Sequence, residues 1–145
     1  MIGDEWSVSR WMSQKLYTVS SKDPLVDAFE LMHQHRIRHV PVLDHGRLVG
    51  IVSDRDVRQT LRLRGHGIDD TALFGDEVSQ KRVADVMARK PITVSLESTV
   101  REAAELLCRE KIGALPVLDD DKLVGIISAE DLLWAFVEHA RHQHV

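Results

Sequence analysis

Pro41-Val42-Leu43-Asp44, then Leu48-Val49-Gly50-Ile51, then Ser53 and Asp56: this run decides the fold, because the chain contains it twice. It returns 75 positions later as Pro116-Val117-Leu118-Asp119, Leu123-Val124-Gly125-Ile126, Ser128 and Asp131. The register extends outward without a gap. Met12 meets Met87, Thr18-Val19-Ser20 meets Thr93-Val94-Ser95, and Ile37 meets Ile112. Ala28, Glu30 and Leu31 meet Ala103, Glu105 and Leu106. Chance does not hold so many identities in one register, so the chain is an internal duplication.

Each copy reads as a βαββα unit. The β-rich Thr18-Val19-Ser20 comes first. A helix follows, with Asp23 as N-cap and Pro24 at its first position, where the missing N–H costs nothing. Leu25, Ala28, Phe29, Leu31 and Met32 form its apolar stripe. In the second copy Ser98 caps, and Val100, Ala103, Ala104, Leu106 and Leu107 form the stripe. Two strands come next, Val40–Leu43 and Leu48–Val52, joined by the turn Asp44-His45-Gly46-Arg47. The second copy turns at Asp119-Asp120-Asp121-Lys122. Further helices start near Ser53 and Ser128, the last carrying Leu132, Leu133, Ala135, Phe136 and Val137. The expected fold class is α/β (α+β), two repeats that each hold a small mixed β-sheet and two helices. The expected division is a first repeat with an N-terminal extension over 1–60, a linker over 61–82, and a second repeat with a C-terminal helix and tail over 83–145. Gly65, Gly67 and Asp69-Asp70 mark the break. One repeat alone is marginal in size, so two are expected to share a core.

Composition narrows the function. The 145 residues are 43% hydrophobic and carry a net charge of −4. Nucleic-acid binding is disfavoured, since no basic face is evident. The single Cys108 cannot form an internal disulfide and reads as a core or helix-flank residue. No basic-then-apolar leader is present, and no apolar run approaches the about 20 residues that span a bilayer. These features predict a cytoplasmic protein without a membrane segment. No Ser-His-Asp order, metal-ligand set or Walker-type loop is visible, so an enzyme is not expected. His139, His142 and His144 read as a solvated terminus, not a metal site. Trp6, Trp11, Trp134 and Phe136 read as packing anchors.

The chemistry concentrates in Gly50-Ile51-Val52-Ser53-Asp54-Arg55-Asp56 and Gly125-Ile126-Ile127-Ser128-Ala129-Glu130-Asp131. Glycine permits close backbone approach. A helix start presents unpaired N–H groups and a positive dipole end, which suit an anion. Serine can donate to a phosphate oxygen, and aspartate can accept from both hydroxyls of a ribose. The same Ser-x-x-Asp spacing also reads as a capping box, with Asp in place of Glu or Gln.

With Ile37-Arg38-His39-Val40-Pro41-Val42-Leu43-Asp44 and its counterpart Ile112–Asp119, these segments resemble a tandem pair of cystathionine-β-synthase-type (CBS) domains, a Bateman module. The resemblance spans Val8–Gln59 and Val83–Phe136. It implies a pseudo-twofold unit with two clefts between the sheets, commonly paired into a disc-like homodimer. It implies no catalysis, but regulation of a separate protein by AMP, ADP or ATP, or by S-adenosylmethionine, with Mg²⁺ an optional companion. The alternative is an interaction scaffold with degenerate, unoccupied clefts. Carried over by position, Asp56 and Asp131 hold ribose hydroxyls, and Ser53, Ser128 and Arg55 face phosphate. Arg38, His39, Val40 and Pro41, and Gly113, Ala114, Leu115 and Pro116, border base and phosphates. Thr18 and Thr93 are weaker candidates for the base.

The copies are unequal. The first places Arg38, His39 and Arg55 about the phosphate path, with Arg58 a turn on. Arginine forks suit phosphate. The second has Gly113, Ala114 and Glu130 at the matching places, and a carboxylate repels a polyphosphate. The first site is expected to prefer a phosphorylated nucleotide; the second is expected to stay empty, to take a less charged adenosyl ligand, or to borrow cations from the first copy across the pseudo-twofold axis. Alternatively Arg38 and Arg55 are surface charges that pair with Asp54 or Glu110. Arg62, Arg64 and His66 extend the basic run and read either as anion contacts or as a solvated helix face.

Overall fold

The computed structural model describes residues 6–63 and 80–143. The break at Gly65, Gly67 and Asp69-Asp70 lies outside the described residues, as do Arg64, His66, His144 and the side chain of Arg62. The elements in chain order are α1 (Val8–Trp11), α2 (Leu25–His35), β1 (His39–Asp44), β2 (Arg47–Ser53) and α3 (Asp54–Leu63). A 3₁₀ turn over Val83–Asp85 follows, then β3 (Ala88–Arg89), β4 (Val94–Ser95), α4 (Val100–Glu110), β5 (Ala114–Asp119), β6 (Lys122–Ser128) and α5 (Ala129–Gln143).

The chain forms two compact units, and these cross the order of the repeats. One unit is Tyr17–Pro91; the other joins the segment up to Leu16 with the chain from Ile92 onward. In the first, β1 and β2 make an antiparallel hairpin, β3 pairs antiparallel with β2, and Val19 bridges Val42 in parallel. In the second, β4 pairs parallel with β5, β5 antiparallel with β6, and Ser13 bridges Ile126. Each sheet is thus built from the same four backbone segments. In each unit, the edge beside the glycine strand is supplied by residues from the start of the other repeat.

Both hairpins turn on two residues with positive φ, His45 (52°) with Gly46 (78°) and Asp120 (47°) with Asp121 (68°). This is the mirror-image turn whose twist matches paired strands. Helices α2 and α4 end on left-handed residues, Arg36 and Lys111. The amides of Ile37 and Ile112 reach back to the Met32 and Leu107 carbonyls, closing each helix. The apolar stripes seat Ala28 and Met32 against Val40, Val42 and Val52, and Ala103 and Leu107 against Leu115, Val117 and Ile127.

Several local expectations are corrected. Pro24 is the residue before α2 and gives no side-chain cap. Asp23 instead accepts from the Ser20 amide at 2.8 Å, closing the turn before the helix. In the second copy Thr99 caps, its Oγ1 accepting from Glu102 N at 3.1 Å, while Ser98 Oγ takes the Ser95 amide. Of Thr18-Val19-Ser20, Val19 alone bridges Val42. Cys108 is exposed, a helix-flank and not a core residue. Leu133, Trp134 and Phe136 stand 64%, 55% and 57% exposed, so they are not core. Trp11 packs against the second core, and Trp6 meets His139 edge-on at 5.0 Å.

The motif glycines have a different partner from the one their sequence suggests. A Cβ on Gly50 would lie 2.7 Å from Met87 Sδ and 2.9 Å from the Ala88 carbonyl oxygen. On Gly125 it would lie 2.5 Å from Met12 Sδ and 3.0 Å from the Ser13 oxygen. The close approach is made by a methionine and the edge segment that follows it.

Candidate ligand-binding site

Each repeat delivers its polar residues to one place, the junction where the second hairpin strand runs into a helix. In the first unit β2 ends at Ser53 and α3 begins at Asp54. Asp56 N donates to Ser53 Oγ (3.1 Å) while Ser53 N donates to Asp56 Oδ2 (3.0 Å). This is a reciprocal capping box, worth on the order of 1 kcal/mol to the helix start. Asp56 Oδ1 has no hydrogen-bond partner among the described residues. The Asp54 amide donates to the Arg38 carbonyl at 2.8 Å, which ties the entry of β1 to the start of α3. Sheet register sets His39 directly opposite Ser53.

The second unit repeats this backbone in every bond. Ser128 N donates to Asp131 Oδ2 (2.8 Å) and Asp131 N to Ser128 Oγ (3.2 Å). The Ala129 amide donates to the Gly113 carbonyl (3.0 Å), and Ala114 stands opposite Ser128.

Arg38, His39, Ser53, Arg55 and Asp56 are therefore brought together, as are Gly113, Ala114, Ser128 and Asp131. Thr18 and Thr93 lie one residue before Val19 and β4 and make no hydrogen bond to the junctions among the described residues. The side chains of Val40, Pro41, Ala114, Leu115 and Pro116 are buried. Val40 and Leu115 are 0% exposed and belong to the two cores. Arg38 and Arg55 are exposed, and neither forms an ion pair among the described residues. Asp54 is taken by Arg58 Nε at 3.0 Å, a pairing the sequence reading did not assign.

The junctions differ electrostatically. Burial holds the His39 imidazole below its ordinary value of 6.5; Asp56 opposes this, Arg38 adds to it, and Asp54 opposes it. In the second unit, burial lifts the Asp131 carboxyl above its ordinary value of 3.8, against its bonds from Ser128 and with a further push from Glu130. The second junction resists negative charge, its own included.

Sequence reading missed one polar cluster. The Asp44 carboxylate, at the end of β1, accepts from Ser21 Oγ, from Ser21 N (2.9 Å) and from Ser20 Oγ (3.0 Å). The Ser21 hydroxyl and amide hold its pKa below the ordinary carboxylate value, stabilising the ionised form. The Ser-Ser dipeptide before Asp23 was the available signal. Among the described residues no group of His, Cys, Asp or Glu is arranged to hold a metal ion. No helix there is long and apolar enough to cross a membrane.

Comparison with known proteins matches these observations. The CBS domain family model matches the chain twice, over residues 8–63 and 83–138. The CBS domain-containing protein YhcV of Bacillus subtilis is 31% identical over 126 residues, which cover 87% of this chain and 82% of that one. The crystal structure of CBSX2 in complex with AMP superposes with a TM-score of 0.78 at 31% identity, covering 94% of this chain and 99% of that one. CBSX2 is a protein of Arabidopsis thaliana. The CBS domain pair of MJ0100, solved with 5′-methylthioadenosine and S-adenosyl-L-methionine, gives a TM-score of 0.78 at 27% identity, covering 92% of this chain and 97% of that one. With two matched repeats, two like sheets and a twice-built strand-to-helix junction, the chain belongs to the CBS domain family, as a tandem pair.

Proposed function

We propose that this chain is a regulatory module that binds an adenosyl ligand at its strand-to-helix junctions and transmits occupancy to a separate protein. The observation that carries the reading is the twice-built Ser/Asp junction, in which each aspartate keeps Oδ1 clear of hydrogen bonds among the described residues after capping its helix. Asp56 and Asp131 take the ribose hydroxyls, and Ser53 and Ser128 meet the phosphate side. The likeness to CBSX2 solved with AMP and to MJ0100 solved with S-adenosyl-L-methionine supports this ligand class. Arg38 and Arg55, exposed and without ion-pair partners among the described residues, suit the first junction to AMP, ADP or ATP. Glu130 and the burial of Asp131 suit the second to a less charged adenosyl ligand such as S-adenosylmethionine. Regulation then follows from differential affinity of the ligand for two states of the module.

One observation favours the scaffold reading instead: capping alone accounts for the Ser/Asp pairs, and Leu133, Trp134 and Phe136 offer an apolar surface for association. A thermal-shift screen against AMP, ADP, ATP and S-adenosylmethionine, with and without Mg²⁺, separates the two. A ligand at a hundredfold excess over its dissociation constant adds about 2.7 kcal/mol of stability and raises the midpoint. Ligand binding predicts a rise with at least one of these compounds. No rise at millimolar concentration favours the scaffold.

A further inference from the structure

We propose that a phosphate-bearing ligand binds the first junction together with a proton, and that His39 takes up this proton. The inference rests on the reading of that junction as a ligand site and adds its regulation by pH.

Three observations meet at His39. First, it stands opposite Ser53 in the hairpin register, so the imidazole shares the junction with the helix start that receives the phosphate. Second, the charged groups acting on it come from both sides: Arg38 from the residue that enters its strand, and Asp54 and Asp56 from α3. Asp54 is engaged by Arg58, and Asp56 by the Ser53 amide. In the unliganded chain the half-buried ring is therefore neutral near pH 7. Third, the second unit holds Ala114 at the same register position, opposite Ser128, so it carries the same backbone without the titrating group.

A phosphate dianion at the junction reverses the balance. It adds negative charge beside a ring that only burial and Arg38 keep neutral, and it can accept a hydrogen bond from the imidazolium. The favoured protonation state switches on binding, and by linkage affinity falls as pH rises. For one proton the limit is tenfold in affinity per pH unit.

The test is isothermal titration of AMP into the full chain from about pH 7 to about pH 8.5. Over that range AMP stays a dianion, because its second pKa is about 6. Repeating each titration in two buffers of different ionisation enthalpy counts the protons taken up. The wild type is expected to take up a fraction of a proton near pH 7 and to lose affinity with rising pH by less than tenfold per unit, the loss levelling off as the uptake vanishes. H39Q is expected to take up none, and its affinity for AMP, whatever its absolute level, is expected not to change with pH. H39A, which copies the residue at position 114, is expected to be equally flat and guards against a glutamine-specific effect. Binding without proton uptake in the wild type, or equal uptake in both variants, overturns the proposal and leaves the ligand site standing. No AMP binding by any of the three proteins overturns the proposal together with an AMP site at this junction.

Discussion

Gly50→Ala is expected to destabilise the chain by about 1–3 kcal/mol, the range for forcing a methyl group into a packed interior. The added Cβ meets Met87 Sδ at 2.7 Å and the Ala88 carbonyl oxygen at 2.9 Å. The thioether is flexible and can swing aside. The carbonyl cannot, because Ala88 is held in β3 by its pairing with Ile51. Relief therefore requires prising β3 from β2, and with it the segment that carries Val83 and Met87 into the first core. Gly125→Ala is expected to act in the same way on the bridge of Ser13 to Ile126. Urea unfolding followed by far-ultraviolet circular dichroism measures both. Gly46→Asn is the contrast: nothing lies within 4 Å of a Cβ at Gly46, and asparagine tolerates its φ of +78°. An unchanged midpoint for Gly50→Ala would mean that the edge segment does not pack as described.

Asp56→Asn is expected to weaken adenosyl-ligand binding at the first junction by roughly ten- to a hundredfold. Hydrogen bonds to a charged acceptor are worth about 1.5–3 kcal/mol, and tenfold in affinity is about 1.4 kcal/mol. The substitution separates ligand binding from folding. The asparagine carbonyl still accepts from Ser53 N, so the cap survives, but the amide NH₂ replaces the second carboxylate oxygen with a donor. Asp56→Ala removes both and is expected to lose helix stability as well, by about 1 kcal/mol. Titration calorimetry alongside thermal unfolding reads the two effects apart. Full affinity in the folded Asp56→Asn variant would remove the carboxylate from the site.

The sequence made the repeat, both hairpins and both junctions legible, because each rests on local chemistry. His45-Gly46 marks a turn that needs two positive φ values. Asp120-Asp121 tolerates positive φ less readily than glycine, and its register with the first copy is the firmer signal of the turn. The helix starts were misplaced by a residue or more. Ser98 and Thr99 are both good caps, and the choice depends on which backbone amide each meets: Ser95 N takes Ser98, leaving Thr99 for Glu102 N. Asp23 was drawn to the Ser20 amide in the same way. The pairing of edge segments was not legible at all. Met12 and Met87 are equivalent in the repeat, as are Gly50 and Gly125, so local chemistry allows either methionine on either glycine. Only the tertiary path decides that Met87 covers Gly50 and Met12 covers Gly125. For the site, residue identity located the junctions, but burial was needed to show that Val40 and Leu115 belong to the cores and that the neutral forms of His39 and Asp131 are favoured.

The most direct test of the central claim is an amide ¹H–¹⁵N spectrum of the chain titrated with AMP. The account predicts saturable shifts at His39, Ser53, Arg55 and Asp56, the residues gathered where β2 enters α3, with smaller changes about Ser128 and Asp131. An unaltered spectrum, or shifts confined to residues remote from both junctions, would contradict it.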